Sequence, residues 1–178
     1  MSTGSGVHQA RSAARRKALQ ILFQSEITGQ SSQGILEEGL TLEEVGLPCD
    51  FTRLLLVGVA SHAVEVDDLI AQTSEHWTLE RMPLVDKSIL RIATYEMLHV
   101  DDVPHSVSIN EAVELAKSFG GEDESSRFVN GVLGRIATCL GASKPPSAVL
   151  CSARVSVDDE QPADALLKSE RKETALHG

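Results

Sequence analysis

The chain has 178 residues, 42% of them hydrophobic but only 3% aromatic, and a formal net charge of −10. That length supports one well-buried core and argues against a second full domain, and the scarcity of aromatics leaves the core to Leu, Ile, Val and Ala, which favours helices over strands. The acidity speaks against nonspecific nucleic-acid binding by the surface as a whole, and three widely spaced cysteines (Cys49, Cys139, Cys151) with no CxxC pair or Cys/His cluster read as free thiols, with no structural zinc site or other cofactor expected.

The charge is unevenly spread. Residues 1–25 carry Arg11, Arg15, Arg16 and Lys17 and no acid, residues 26–142 carry a net −13, and residues 143–178 a net −1. A basic head on an acidic body suggests an anionic partner at one end and a basic partner elsewhere. The apolar ALQILF stretch is too short for a signal peptide and runs into polar QSEITGQ, and no run reaches the roughly 18 apolar residues of a membrane span. A cytoplasmic protein with no membrane partner is expected.

In chain order, residues 1–7 read as a flexible start. A helix follows from about His8 to Thr28, with Ala14, Ala18, Ile21 and Leu22 on one face and Gly29 as a stop. Residues 31–47 form a looser helical segment broken by Gly39 and Gly46. Pro48 then precedes a single helix from about 50 to 73, in which Leu55, Val59, His62, Val66 and Leu69 recur at spacings of three and four. Residues 74–83 are a linker. The next helix, LVDKSILRIATYEMLHV, is apolar on more than one face and so central.

Asp101, Asp102 and Pro104 end that helix. Ser108 and Glu111 have the S-x-x-E form of a capping box opening the amphipathic INEAVELAKSF. Gly120 and Gly121 stop it, and a last helix runs from about 125 to 140 with Ser125 or Ser126 as its cap. Within it, Asn130-Gly131 resembles a hairpin turn, but the helical spacing of Val129, Val132, Leu133 and Ile136 outweighs the dipeptide, and Gly131 is expected to permit close helix packing. Residues 142–178 show no sustained period and read as a flexible tail. The expectation is an all-α domain over residues 8–141, with small helical bundles at about 8–73 and 78–141.

Catalytic signals are poor. There is no GxSxG, Walker-type or dinucleotide motif, and His62 and His99 read as packed or surface residues rather than as bases. Glu122, Asp123 and Glu124 lack the alternation of a calcium loop and suit the positive N-terminus of the last helix instead. Arg11, Arg15, Arg16 and Lys17, within two turns of one helix, present either a phosphate-binding surface or a merely solvated basic face. Phe23 and Phe128, the latter beside Arg127, are each either core residues or single stacking rings.

ARRKALQILFQ (14–24), VDKSILRIATYEML (85–98), DVPHSVSINEAVELAKSFGGED (102–123) and RFVNGVLGRIA (127–137) together resemble the NusB family of bacterial transcription antitermination factors. The resemblance implies a compact all-α fold and no catalysis. It implies binding to the boxA element of ribosomal RNA leader transcripts together with the ribosomal protein NusE, and indirect association with other Nus factors and RNA polymerase. It assigns RNA contact to Arg11, Arg15, Arg16 and Lys17, and to Asp123 or Glu124, Arg127 and Phe128. It assigns partner contact to Asp86, with Glu80 and Phe23 as further candidates, and it allows a homodimer that covers the RNA surface. A helical protein–protein adaptor without sequence-specific RNA binding is the competing reading. NusB-like domains also precede ribosomal RNA methyltransferases, but residues 142–178 are too few for a methyltransferase domain.

Overall fold

The computed structural model describes residues 3–38, 49–74, 77–121 and 123–142, without the side chains of residues 3–5, 123 and 142. Its helices are α1 (Thr3–Thr28), α2 (Ser32–Glu38), α3 (Asp50–Ser61), α4 (Ala63–Thr73), α5 (Leu84–His99), α6 (His105–Phe119) and α7 (Asp123–Ala142). No strand occurs among the described residues. The expected tail from residue 143, and the part of the looser segment from 39 to 48, lie outside them.

The fold is organised by α5, whose apolar side chains point to more than one side and must be covered from several directions. Ile89, Leu90, Ile92, Ala93 and Met97 are buried, and α1, α3, α4, α6 and α7 all pack on this helix. Each fully buried leucine or isoleucine contributes about 1.5–3 kcal/mol relative to exposure. Ala14, Ala18, Ile21 and Leu22 form the inward stripe of α1, joined by Leu19. α1 begins five residues before the expected His8, because the sequence TGSGV of residues 3–7 has no apolar repeat for periodicity to detect; Val7 is exposed.

The helix expected over 50–73 is two helices. The chain leaves helical geometry at His62 (φ −114°, ψ 22°), while His62 N–H still donates to Gly58 O (3.0 Å) and Val66 N–H to His62 O (2.9 Å). The apolar stripe runs through the bend, so spacing could not reveal it. Close to it, the Tyr95 ring of α5 lies against the backbone of Gly58. A Cβ at position 58 would sit 1.9 Å from Tyr95 Cζ, so only glycine fits.

α6 opens at His105, after Pro104, and not at a capping box. Ser108 is buried and its hydroxyl donates to Glu96 (2.7 Å), while Glu111 faces Arg15. Two glycines then turn the chain into α7. A Cβ on Gly120 would meet Ser125 Oγ at 2.2 Å, and Gly121 has φ +81°, which side chains rarely adopt. α7 buries Val129, Val132, Leu133 and Ile136. Asn130 is exposed and Gly131 faces open space, so the close packing expected at Gly131 does not occur; it lies on the solvent side of the helix.

Candidate nucleic-acid and partner surfaces

Successive residues of an α-helix point about 100° apart, and this rotation splits the basic cluster of α1. Arg15 turns inward and is 3% exposed. Its Nε and Nη2 donate to Glu96 Oε2 and Oε1 at 2.8 and 2.7 Å, and Nη1 lies 3.3 Å from Glu111 Oε2. Glu96 is 1% exposed and also accepts the Ser108 hydroxyl. The guanidinium stands 5.4 Å from the Phe51 ring. This is a buried, bidentate ion pair joining α1, α5 and α6, the geometry in which such a pair can offset its desolvation. Arg15 is therefore not a surface phosphate ligand, as its place in the basic run suggested. Lys17, 6% exposed, also turns inward.

Arg11 and Arg16 remain toward solvent. Arg11 donates to the exposed Asp102 just beyond α5 and lies 4.9 Å from the Phe51 ring. Its guanidinium holds the Asp102 carboxyl below the usual carboxylate range. Arg16 is exposed, and its guanidinium lies 5.3 Å from the ring of Phe119, the last residue of α6. Phe119 is itself 36% exposed. An exposed arginine over an exposed ring offers a phosphate donor and a π-face at one place, the two elements from which single-stranded nucleic acid is bound.

Phe119 leads directly into the glycine turn and the start of α7. Asp123 opens α7, its side chain outside the described residues; Glu124 and Arg127 are exposed. Phe128 is half-buried against the core, with the exposed Trp77 ring 5.9 Å away at 57°. It has both a packing face and an open one, so neither role assigned to it from sequence excludes the other.

The candidate partner residues also separate. Asp86, 4% exposed, lies in the first turn of α5 and accepts a hydrogen bond from Ser125 of α7. Burial pushes its carboxyl above the ordinary range, partly opposed by that bond. Asp86 thus ties α5 to α7 and is not an open docking residue; the same bond engages Ser125, expected to cap α7. Glu80 is exposed in the turn before α5, and Phe23 is half-buried. Beyond Phe23 on α1, Glu26 pairs with Lys87 (3.0 Å) and with Arg91, and Arg91 binds Asp67 through two 2.7 Å hydrogen bonds. Burial raises the Glu26 carboxyl, but hydrogen bonds from Lys87 and Arg91 outweigh it and hold it below its usual value.

Sequence reasoning missed Glu96 and Phe119. Glu96 had a signal: a lone acid inside the apolar IATYEML needs a buried cation, and the basic run of α1 is a candidate source of one. Phe119 had none, because an aromatic ending an amphipathic helix reads as core.

The NusB family model matches residues 12–138. The transcription antitermination protein NusB of Bacillus cereus (strain B4264) is 45% identical over 130 residues, which cover 73% of this chain and 98% of that protein; NusB of Bacillus anthracis (strain CDC 684 / NRRL 3495) gives the same figures. Among solved structures, T. maritima NusB matches at 37% identity and a TM-score of 0.62, covering 72% of this chain and 90% of that one. The fold is also similar to that in a crystal structure of antitermination factors NusB and NusE with dsRNA, at 21% identity and TM-score 0.62, over 74% of this chain and 98% of that one.

Proposed function

The chain belongs to the NusB family, and from that premise we propose that it is a cytoplasmic, non-catalytic transcription antitermination factor that binds boxA RNA of ribosomal RNA leaders together with the ribosomal protein NusE. Its relatives are named transcription antitermination proteins, and one structure of similar fold pairs NusB with NusE and dsRNA. Other Nus factors and RNA polymerase are its indirect partners.

The observation that carries the RNA reading is the exposed Arg16 guanidinium over the exposed Phe119 ring. Arg11 adds a second cation once Asp102 releases it, and Glu124, Arg127 and the open face of Phe128 extend the surface at the start of α7. With Arg15 and Lys17 turned inward, the basic face is smaller than the cluster in sequence. RNA affinity alone is therefore modest, and NusE supplies further phosphate contacts. Glu80 and Phe23 are the accessible candidates for NusE, and the acidic body speeds encounter with a basic ribosomal protein.

Fluorescence anisotropy with boxA RNA, with and without NusE, tests this. Tighter binding with NusE and a steep loss with salt are expected, because each neutralised phosphate releases counterions. Equal affinity for a scrambled RNA contradicts sequence-specific binding and leaves the protein–protein adaptor.

A further inference from the structure

At the end of α5 away from Asp86, two histidines and a glutamate meet where the α3–α4 bend passes. His62 lies at the bend, Glu65 in the first turn of α4 and His99 in the last turn of α5. One ligand atom from each can be chosen so that all lie within 4.8 Å of one another. The imidazole rings are 4.1 Å apart between centroids, and His99 Nε2 is 3.1 Å from Glu65 Oε2.

We propose that His62, Glu65 and His99 form a binding site for a divalent transition-metal ion of the zinc class. The donor set selects the ion: two imidazoles and one carboxylate suit zinc, while calcium and magnesium demand oxygen ligands. Three protein ligands leave a fourth position for water. In a tetrahedral zinc site, metal–nitrogen bonds of about 2.0–2.1 Å put ligand atoms roughly 3.3 Å apart, so the 4.8 Å group must draw in by at most about 1.5 Å. His62 is partly covered, and Glu65 and His99 are exposed, so side-chain rotation can supply that closure.

The surroundings hold His62 as a metal-bound histidine is usually held. A ring nitrogen of a metal-bound histidine typically donates to a carbonyl or carboxylate, which fixes the tautomer and leaves the other nitrogen's lone pair for the metal. His62 Nδ1 lies 3.0 Å from Gly58 O, and since a carbonyl can only accept, Nδ1 donates and the lone pair of Nε2 is left for an ion. The Tyr95 ring stands 5.6 Å from His62 and 5.2 Å from His99, and Tyr95 is itself seated on Gly58, where no side chain fits. The ligands lie up to 37 residues apart in sequence, so no short motif announces them. The bound ion would clamp the start of α4 to the end of α5.

The full chain, freed of metal by chelator and dialysis, is titrated with Zn2+ and Co2+, with Mg2+ as control. One equivalent of Zn2+ should bind, and Co2+ should give visible bands of a nitrogen–oxygen site of low coordination number. Glu65→Gln, nearly isosteric at an exposed position, should weaken Zn2+ binding at least about tenfold, and His99→Ala by more than the roughly 10–100-fold that loss of a supporting hydrogen bond costs. His105→Ala should bind as wild type. Should His99→Ala misfold by circular dichroism, Glu65→Gln and the imidazole proton shifts of the wild-type chain on adding Zn2+ decide. Three results overturn the site: no stoichiometric binding, binding that Glu65→Gln leaves unchanged, or a sulfur-to-cobalt charge-transfer band showing that cysteines hold the ion.

Discussion

Arg15 and Arg16 are the same residue type at adjacent positions of one helix, yet they belong to different regions of the molecule. Arg15 faces inward, where Glu96 and Glu111 neutralise it and Phe51 packs on it. Arg16 faces outward over Phe119. One step of about 100° around α1 converts a candidate nucleic-acid contact into a structural ion pair. Charge density along a sequence therefore overstates the charge a surface presents, and the two faces should fail in different assays.

The largest effect should come from the inward face. Arg15→Ala leaves Glu96 charged and unpaired in the core, and a broken buried pair costs about 3–5 kcal/mol. Urea unfolding should show that loss, and a change below about 1 kcal/mol would mean that the pair does not hold α1 to α5. RNA affinity of the fraction that stays folded should be nearly unchanged.

Asp86 makes the same contrast for the acids. Asp86→Lys puts a cation in a buried site that offers no counter-charge in exchange, and should destabilise strongly. Asp86→Asn keeps an acceptor for Ser125, so it should fold and still bind NusE; loss of NusE binding by a folded Asp86→Asn protein would restore Asp86 as a partner contact. Because its folded value is raised, ionising Asp86 weakens the fold. Its contribution therefore falls as pH rises from the ordinary carboxylate value through the raised one, and Asp86→Asn should remove that slope. Glu26 behaves oppositely: its value is lowered, so its contribution is present above the ordinary carboxylate value and is lost as pH falls through the depressed one.

On the outward face, Phe119→Ala should leave stability nearly intact and weaken boxA binding by about 1–3 kcal/mol, the range for losing one aromatic–base stack. Anisotropy and urea unfolding on the same preparation separate the two outcomes, and a loss of stability without loss of RNA affinity would return Phe119 to the core. The smallest effect belongs to Asp102→Asn. Arg11 depresses the Asp102 carboxyl, so their exposed pair contributes above the ordinary carboxylate value and is lost as pH falls through the lowered one. The variant should lack this acid-side dependence and bind RNA slightly more tightly, because Arg11 is freed. Tighter binding in the wild type than in the variant would exclude Arg11 as a phosphate donor.

The helices were largely legible, because each buried face repeats at three and four residues: Ala14, Ala18 and Leu22 in α1, and Val129, Leu133 and Ile136 in α7. The bend at His62 was not, since the same stripe continues through it. Nor was the fate of Ser108 and Glu111. Their spacing suits a local cap, but long-range partners on α5 and α1 take both side chains. Among the site residues, the type and region of the cations were legible, while their orientation was not, because a short basic run fixes no helix phase. Asp86 misled for a related reason: an acid in an exposed first turn and an acid bonded across to Ser125 look alike until α7 is in place.

The most direct measurement is the affinity of Arg16→Ala for boxA RNA in the presence of NusE, followed by anisotropy across a range of salt concentrations. The outward-face account predicts weaker binding, a salt slope shallower by about one unit, and unfolding in urea like that of the wild type. Unchanged affinity and slope in a folded Arg16→Ala protein would contradict it.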